Sequence, residues 1–227
     1  MWCVPTLNDE YIERMEDLLS LYARPANEKE PMVCLDEKPV VLHEDVRKSK
    51  PMRPGKPHRR DYEYKRIGTA NVFCITEPKL GVHLTHATKD RKTPAFASAL
   101  LRILDRFPDA EKIHLVIDNL STHFLSALKN KTDLGDELAE HLWAKFELHY
   151  TPKHGSWLNQ AEIEVGLWSR ECMAKRRFGT FKKLRRQTQF WNEEADKKRR
   201  TIEWKFRSED AQRIFGYSVV NKTLTEH

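Results

Sequence analysis

Ile113-His114-Leu115-Val116-Ile117-Asp118-Asn119 is a short, mostly apolar, β-branched run closed by an acid and a turn former. A run of that length and composition reads as a strand buried on both faces. An acid at the C-terminal end of such a strand faces the crevice where open α/β sheets take their ligands. The same residues also describe a plain Asp-Asn turn after a strand, so the surroundings decide. Upstream, Thr93-Pro94 opens a helix to about Arg106, with Phe96, Leu100, Ile103 and Leu104 on its inner stripe and Pro94 in the first turn. Downstream, 123–145 reads as helical pieces broken at Asp133-Leu134-Gly135, and Phe146 to Tyr150 as another short strand. Helix and strand in alternation indicate an α/β domain.

Further out, residues 8–22 place Tyr11, Ile12, Met15, Leu18, Leu19 and Tyr22 on one helical stripe, with Asn8 or Asp9 as cap. A first strand is expected over 32–42. The Pro-, Lys- and Arg-rich stretch 43–61 reads as a loop. Thr69–Thr76 and Val82–Thr88, joined by Glu77-Pro78-Lys79-Leu80-Gly81, read as a hairpin. Two helices are expected over 159–177 and 180–199, and a short one near 208–215. The sum is an α/β fold with a mixed sheet flanked by helices, in the order of the ribonuclease-H-like fold. Three parts are expected: an N-terminal helix and linker over 1–30, a main domain over 31–200, and a tail over 201–227.

Two more acids stand where this fold would deliver them beside Asp118. Asp36 closes Met32-Val33-Cys34-Leu35. Strand alternation favours Asp36 over its neighbour Glu37, which shares the opposite face with Leu35; an acid ending an edge strand beside Lys38 is the plainer reading. Glu162 falls in Ser156-Trp157-Leu158-Asn159-Gln160-Ala161-Glu162, the first turn of a helix, and competes with Glu164. Positions about 200° apart around a helix cannot both face the strand ends. Asn159, three residues before Glu162, also fits a capping box that would turn that glutamate onto backbone amides. The residues alone leave Glu162 and Glu164 open. Asn119, His123 and Asn159 are candidates to orient the acids. Three carboxylates gathered in water repel one another, and they make chemical sense as a cage for hard cations such as Mg2+. Two such ions about 4 Å apart activate a water or hydroxyl and steady the leaving oxygen of a phosphodiester.

The charge distribution points to the same substrate. From Arg47 to Arg60 there are seven Lys or Arg and no acid, and from Arg170 to Arg207 there are 14 basic and 5 acidic residues. Clustered cations of this kind bind polyanions by releasing counterions, although a solvated helix face has the same composition. Candidate phosphate-binding residues are Arg47, Lys48, Lys50, Arg53, Lys56, Arg59, Arg60, Lys153, His154, Lys175, Arg176, Arg177, Lys182 and Lys183, holding DNA backbone without reading its sequence. Gly155 would let the backbone approach a phosphate closely. No stretch reaches the length of a membrane span, and Met1-Trp2-Cys3-Val4-Pro5 lacks the features of a signal peptide. The four scattered cysteines read as reduced thiols in a cytoplasmic protein, and no zinc site is expected.

Four motifs in order carry a resemblance: Val33-Cys34-Leu35-Asp36-Glu37-Lys38-Pro39; Arg60-Asp61-Tyr62-Glu63-Tyr64-Lys65-Arg66-Ile67-Gly68-Thr69-Ala70-Asn71; Asp118-Asn119-Leu120-Ser121-Thr122-His123; and His149-Tyr150-Thr151-Pro152-Lys153-His154-Gly155-Ser156-Trp157-Leu158-Asn159-Gln160-Ala161-Glu162-Ile163-Glu164. Together they resemble bacterial insertion-sequence transposases of the mariner-like superfamily. The resemblance implies a DDE catalytic domain using two Mg2+ or Mn2+ ions for DNA cleavage and strand transfer, with Asp36, Asp118 and Glu162 as its acids. Glu162 is taken over Glu164 because Leu158-Asn159-x-x-Glu162 matches the family's Leu-Asn-Pro-x-Glu. The expected partners are double-stranded DNA (transposon ends and target), a second copy of the chain, and a separate N-terminal helix-turn-helix polypeptide. The expected location is the bacterial cytoplasm at the nucleoid. Family members begin with helix-turn-helix modules, and only 35 residues precede Asp36 here. A split reading frame, a truncated copy or a relic is therefore expected, and an inactive remnant that binds DNA non-specifically is the rival reading. A general nuclease of the same fold is a third.

Overall fold

The computed structural model describes residues 7–59, 61–118, 125–174 and 176–218. Five strands form one mixed sheet: β1 (Met32–Asp45), β2 (Tyr64–Glu77), β3 (Val82–Thr88), β4 (Ile113–Ile117) and β5 (Phe146–Tyr150), in the order β3-β2-β1-β4-β5. β2 is antiparallel to both β1 and β3, while β4 runs parallel to β1 and β5. Seven α-helices accompany the strands among the described residues: α1 (Asp9–Ala23), α2 (Thr93–Arg106), α3 (Leu125–Lys131), α4 (Asp136–Ala144), α5 (Ala161–Trp168), α6 (Phe181–Lys198) and α7 (Ser208–Phe215). None is long and apolar enough to cross a membrane.

Local chemistry sets the boundaries. α1 starts where the Asn8 side chain accepts from the Tyr11 amide at 2.8 Å. α2 carries Pro94 in its first turn. Gly135, at φ 76°, separates α3 from α4.

Two expectations need correcting. β1 runs to Asp45 rather than 42, and β2 begins at Tyr64 rather than 69, because their antiparallel ladder continues to the Asp45–Tyr64 pair. Backbone pairing outlasts the apolar pattern there, since Glu44, Lys65 and Arg66 are exposed. The expected loop narrows to 46–63 and carries its own bridges, Lys50 with Arg59 and Arg53 with Lys56. The helix expected over 159–177 is a 3₁₀ turn (Ser156–Leu158), α5, and a π-helical turn (Ser169–Met173) ended by Ala174 at φ 44°.

One face of the sheet packs Val33, Leu35, Phe73, Ile75, Leu115 and Ile117 against Phe96, Leu100 and Ile103 of α2, with Leu128 and Leu142 from α3 and α4. On the other face, Cys34 and Val116 meet Met15, Leu18 and Leu19 of α1, with Leu158, Ala161 and Ala211 of α7. Farther along that face, Val40, Val72 and Cys74 meet Val165, Trp168, Cys172 and Leu184. A large apolar side chain fully removed from water contributes roughly 1.5–3 kcal/mol. The N-terminal helix and the tail helix are therefore structural parts of the sheet's second layer. Cys34, Cys74 and Cys172 are buried free thiols; Cys3 lies outside the described residues.

Candidate active site

The parallel ladder of β1 and β4 pairs Met32 with His114, Val33 with Leu115 and Cys34 with Val116. Two residues past that last pair stand Asp36, inside β1, and Asp118, just beyond the end of β4. Neighbouring strands lie about 4.8 Å apart, so the sheet delivers the two carboxyl-bearing positions to the same level, where β4 ends. Asp36 is half-buried, and its Oδ1 accepts from the Glu37 amide at 2.7 Å. Burial pushes the Asp36 carboxyl up to about 7 in spite of that hydrogen bond, and the negative charges of Glu162, Glu37 and Asp118 push the same way. Acids just past the end of β4 and in the first turn of α5 thus act on Asp36 of β1.

α5 separates its two glutamates. Glu164 is fully buried, with Oε2 2.8 Å from His83 Nδ1 on β3, and His83 Nε2 lies 3.1 Å from the Arg200 carbonyl. Glu162 is exposed and close enough to raise Asp36. No local sequence signal shows the Glu164–His83 link, because its partners are 81 residues apart.

Asn159, 3% exposed, joins α5 to β1. Its Nδ2 donates to the Leu35 carbonyl at 2.9 Å, and its Oδ1 accepts from the Ala161 amide at 3.0 Å. This differs from the expected capping box: the Asn159 oxygen takes the amide two residues on, and its remaining donor is spent on the strand residue just before Asp36. Gly155 also has a structural role in its own turn. A Cβ there would lie 2.5 Å from Pro152 Cγ, so the glycine is needed for the turn in which its amide donates to the Pro152 carbonyl. His154 beside it adopts φ 64°. Trp157 donates to the Tyr11 hydroxyl at 3.3 Å and packs edge-on to Phe206, so its ring belongs to the second layer.

Among the basic candidates, Arg47, Lys48, Lys50, Arg53, Lys56, Arg59, Lys153, His154, Arg176, Lys182 and Lys183 are exposed. Arg177 is committed within the molecule. It donates to Asp45 at 2.8 Å and to the Asp61 carbonyl at 3.0 Å, and lies over the Tyr64 ring at 4.7 Å. It pins the 46–63 arm to the body of the domain. Arg47 also pairs inside the arm, 3.5 Å from Glu63, and Arg176 donates to the Cys172 carbonyl. Asn119, His123, Arg60 and Lys175 lie outside the described residues.

Residues 31–185 match the family model described as DDE superfamily endonuclease, a span holding all three acids. The chain belongs to that family. Its members are endonucleases, so the chain is of an enzyme family, and the acids stand on β1, just past β4 and in the first turn of α5, elements that a ribonuclease-H-like sheet brings together. No curated protein matches the sequence. Solved structures with the same fold include the Mos1 mariner paired-end complex with Mn, at TM-score 0.57 and 17% identity over 88% of this chain and 60% of that one. The Mos1 paired-end complex with the left transposon end gives 0.54 and 17%, over 88% and 62%. The Mos1 strand transfer complex gives 0.54 and 17%, over 87% and 57%. The chain thus spans about 60% of the length of the mariner chain it matches in the first of these.

Proposed function

We propose that this domain is the catalytic part of a DNA transposase, cutting double-stranded DNA at the ends of a mobile segment and transferring the freed 3′ ends to a target. Asp36, Asp118 and Glu162 are the acids of that reaction. The observation that carries the reading is the placement of three acids from distant parts of the sequence beside one another, Asp36 on β1, Asp118 just past β4 and Glu162 in the first turn of α5, the last two acting on the Asp36 carboxyl. Mos1, whose complexes hold transposon ends with Mn or Mg, supports it by fold.

The donor set fits a hard divalent cation. It offers carboxylate oxygens only, one of them fully reachable on Glu162, and like charges gathered this way favour binding of a positive ion. Asp36, Asp118 and Glu162 would hold Mg2+ or Mn2+, two ions on this reading. When bound, such ions supply Lewis-acid activation of the attacking oxygen and steady the leaving one. The chain's own residues set the geometry. The β1–β4 ladder fixes the spacing of the two aspartates, and Asn159 holds the start of α5 against β1 so that Glu162 faces Asp36. Exposed cations of the 46–59 arm and of α6 hold backbone phosphates, which positions DNA without selecting its sequence. Because strand transfer acts on paired ends, a homodimer is part of the proposal, as is a separate polypeptide that recognises the ends.

The test is nicking of supercoiled plasmid with Mg2+ or Mn2+. Asp118→Asn should abolish nicking and leave salt-sensitive DNA binding in place. Undiminished nicking by the variant would remove Asp118 from the mechanism.

A further inference from the structure

The β4 and β5 strands carry a second cluster. His114 on β4 pairs in register with Glu147 on β5, and His149 follows two residues on, pointing to the same face. His114 Nδ1 lies 3.0 Å from His149 Nε2 and 3.6 Å from Glu147 Oε2, and His149 Nε2 lies 3.9 Å from Glu147 Oε1. Ligands about 2.0–2.1 Å from a tetrahedral ion stand about 3.3 Å from one another. The observed separations lie around that value, the two to Glu147 being to different carboxylate oxygens, and one ligand atom from each residue lies within 4.8 Å of the others. Both imidazoles are buried, at 5% and 4% exposure, while the Glu147 side chain is half exposed and opens a path to solvent.

A fourth residue prepares the cluster. The carboxylate of Asp17 on α1 lies 2.7 Å from His149 Nδ1. It holds the proton on that nitrogen, so the Nε2 lone pair faces the other two groups. Carboxylates orient metal-binding imidazoles in this way.

We propose that His114, Glu147 and His149 bind a divalent ion of the zinc class, tying α1, β4 and β5 together. Two nitrogens and one carboxylate suit Zn2+ better than Mg2+. His114 lies four residues before Asp118, roughly 13 Å at strand rise, and His149 pairs with Val116, two residues before it; none of the three ligands is one of the three catalytic acids. No sequence motif announces it: the histidines are 35 residues apart and come together only through strand pairing.

One interaction must change on binding. Arg24 Nη1 lies 3.2 Å from His114 Nε2. An arginine can only donate, so without the ion His114 carries its proton on Nδ1, which donates to His149. Binding moves that proton to Nε2 and displaces Arg24, which is exposed and free to turn into water. The net charge of the imidazole is unchanged.

The experiment is titration with Zn2+ against a chromophoric chelator in excess Mg2+, with Co2+ as a spectroscopic substitute whose visible bands report four-coordination. One equivalent is expected. Binding should survive in Asp36→Asn/Glu162→Gln, and be lost in His149→Gln and in Glu147→Gln, whose half-exposed site protects folding. Asp17→Asn should weaken binding about 10- to 100-fold. Arg24→Ala should tighten it, whereas a hydrogen-bonded chain with no place for metal predicts no binding in either form. Absent saturation, or loss in the Asp36/Glu162 variant with retention in Glu147→Gln, would overturn the proposal.

Discussion

Asp36, inside β1, and Asp118, the residue just past β4, each stand two residues beyond the Cys34–Val116 pair of neighbouring parallel strands. The backbone ladder brings the two residues side by side, and the charge of Asp118 is among those that raise the Asp36 carboxyl.

That arrangement gives a pH signature. The folded carboxyl of Asp36 is raised to about 7 from an ordinary 3.8, with burial as the largest cause. Between these values the folded state binds more protons than the unfolded state, so stability falls as pH rises through the window and the loss is complete above about 7. Without divalent ions, Asp36→Asn should therefore melt at a higher temperature than the natural protein at pH 8. The gap should close toward pH 4. Mg2+ should raise the melting temperature of the natural protein and leave that of the variant nearly unchanged. Equal melting curves at pH 8 would contradict the electrostatic account.

The two glutamates of α5 should divide cleanly. Glu164→Ala strands His83 inside the protein, and breaking a buried pair costs about 3–5 kcal/mol. Urea unfolding would measure it. Glu162→Ala, at an exposed position, should leave stability unchanged or slightly higher while abolishing Mg2+-dependent nicking. A Glu162→Ala protein that still nicks would transfer the role elsewhere.

Asn159→Ala should damage both properties. It leaves the buried Leu35 carbonyl without its donor, costing about 1–3 kcal/mol, and it frees the start of α5 from the strand residue before Asp36. Nicking measured well below the melting temperature should fall by more than the loss of folded protein explains.

DNA binding should distinguish the free cations from the committed one. Lys182→Ala/Lys183→Ala should weaken binding and flatten its salt dependence, by about 0.9 in log–log slope for each phosphate left without a cation. Fluorescence anisotropy across a salt series reads both effects. Arg177→Ala should leave that slope unchanged, because its charge is already engaged with Asp45 and the Tyr64 ring. It should instead speed proteolysis within 46–63.

What the sequence discloses here follows the range of the interactions. Strands β4 and β5 and helix α2 are readable because apolar periodicity and Pro94 are local signals. The extended β1–β2 ladder is not, because its outer half is polar and held by backbone pairing between distant segments. Helical spacing shows that Glu162 and Glu164 face different ways; which of them is buried depends on His83, 81 residues away. The basic composition of 170–186 is visible, yet the engagement of Arg177 with the 46–63 arm depends on a fold that brings the two together.

The short helix α5 is bolted on either side of Glu162: three residues before it Asn159 grips β1, and two residues after it Glu164 grips β3. The backbone that carries Glu162 is therefore set relative to both strands before any cation arrives, and an incoming ion meets a platform already assembled.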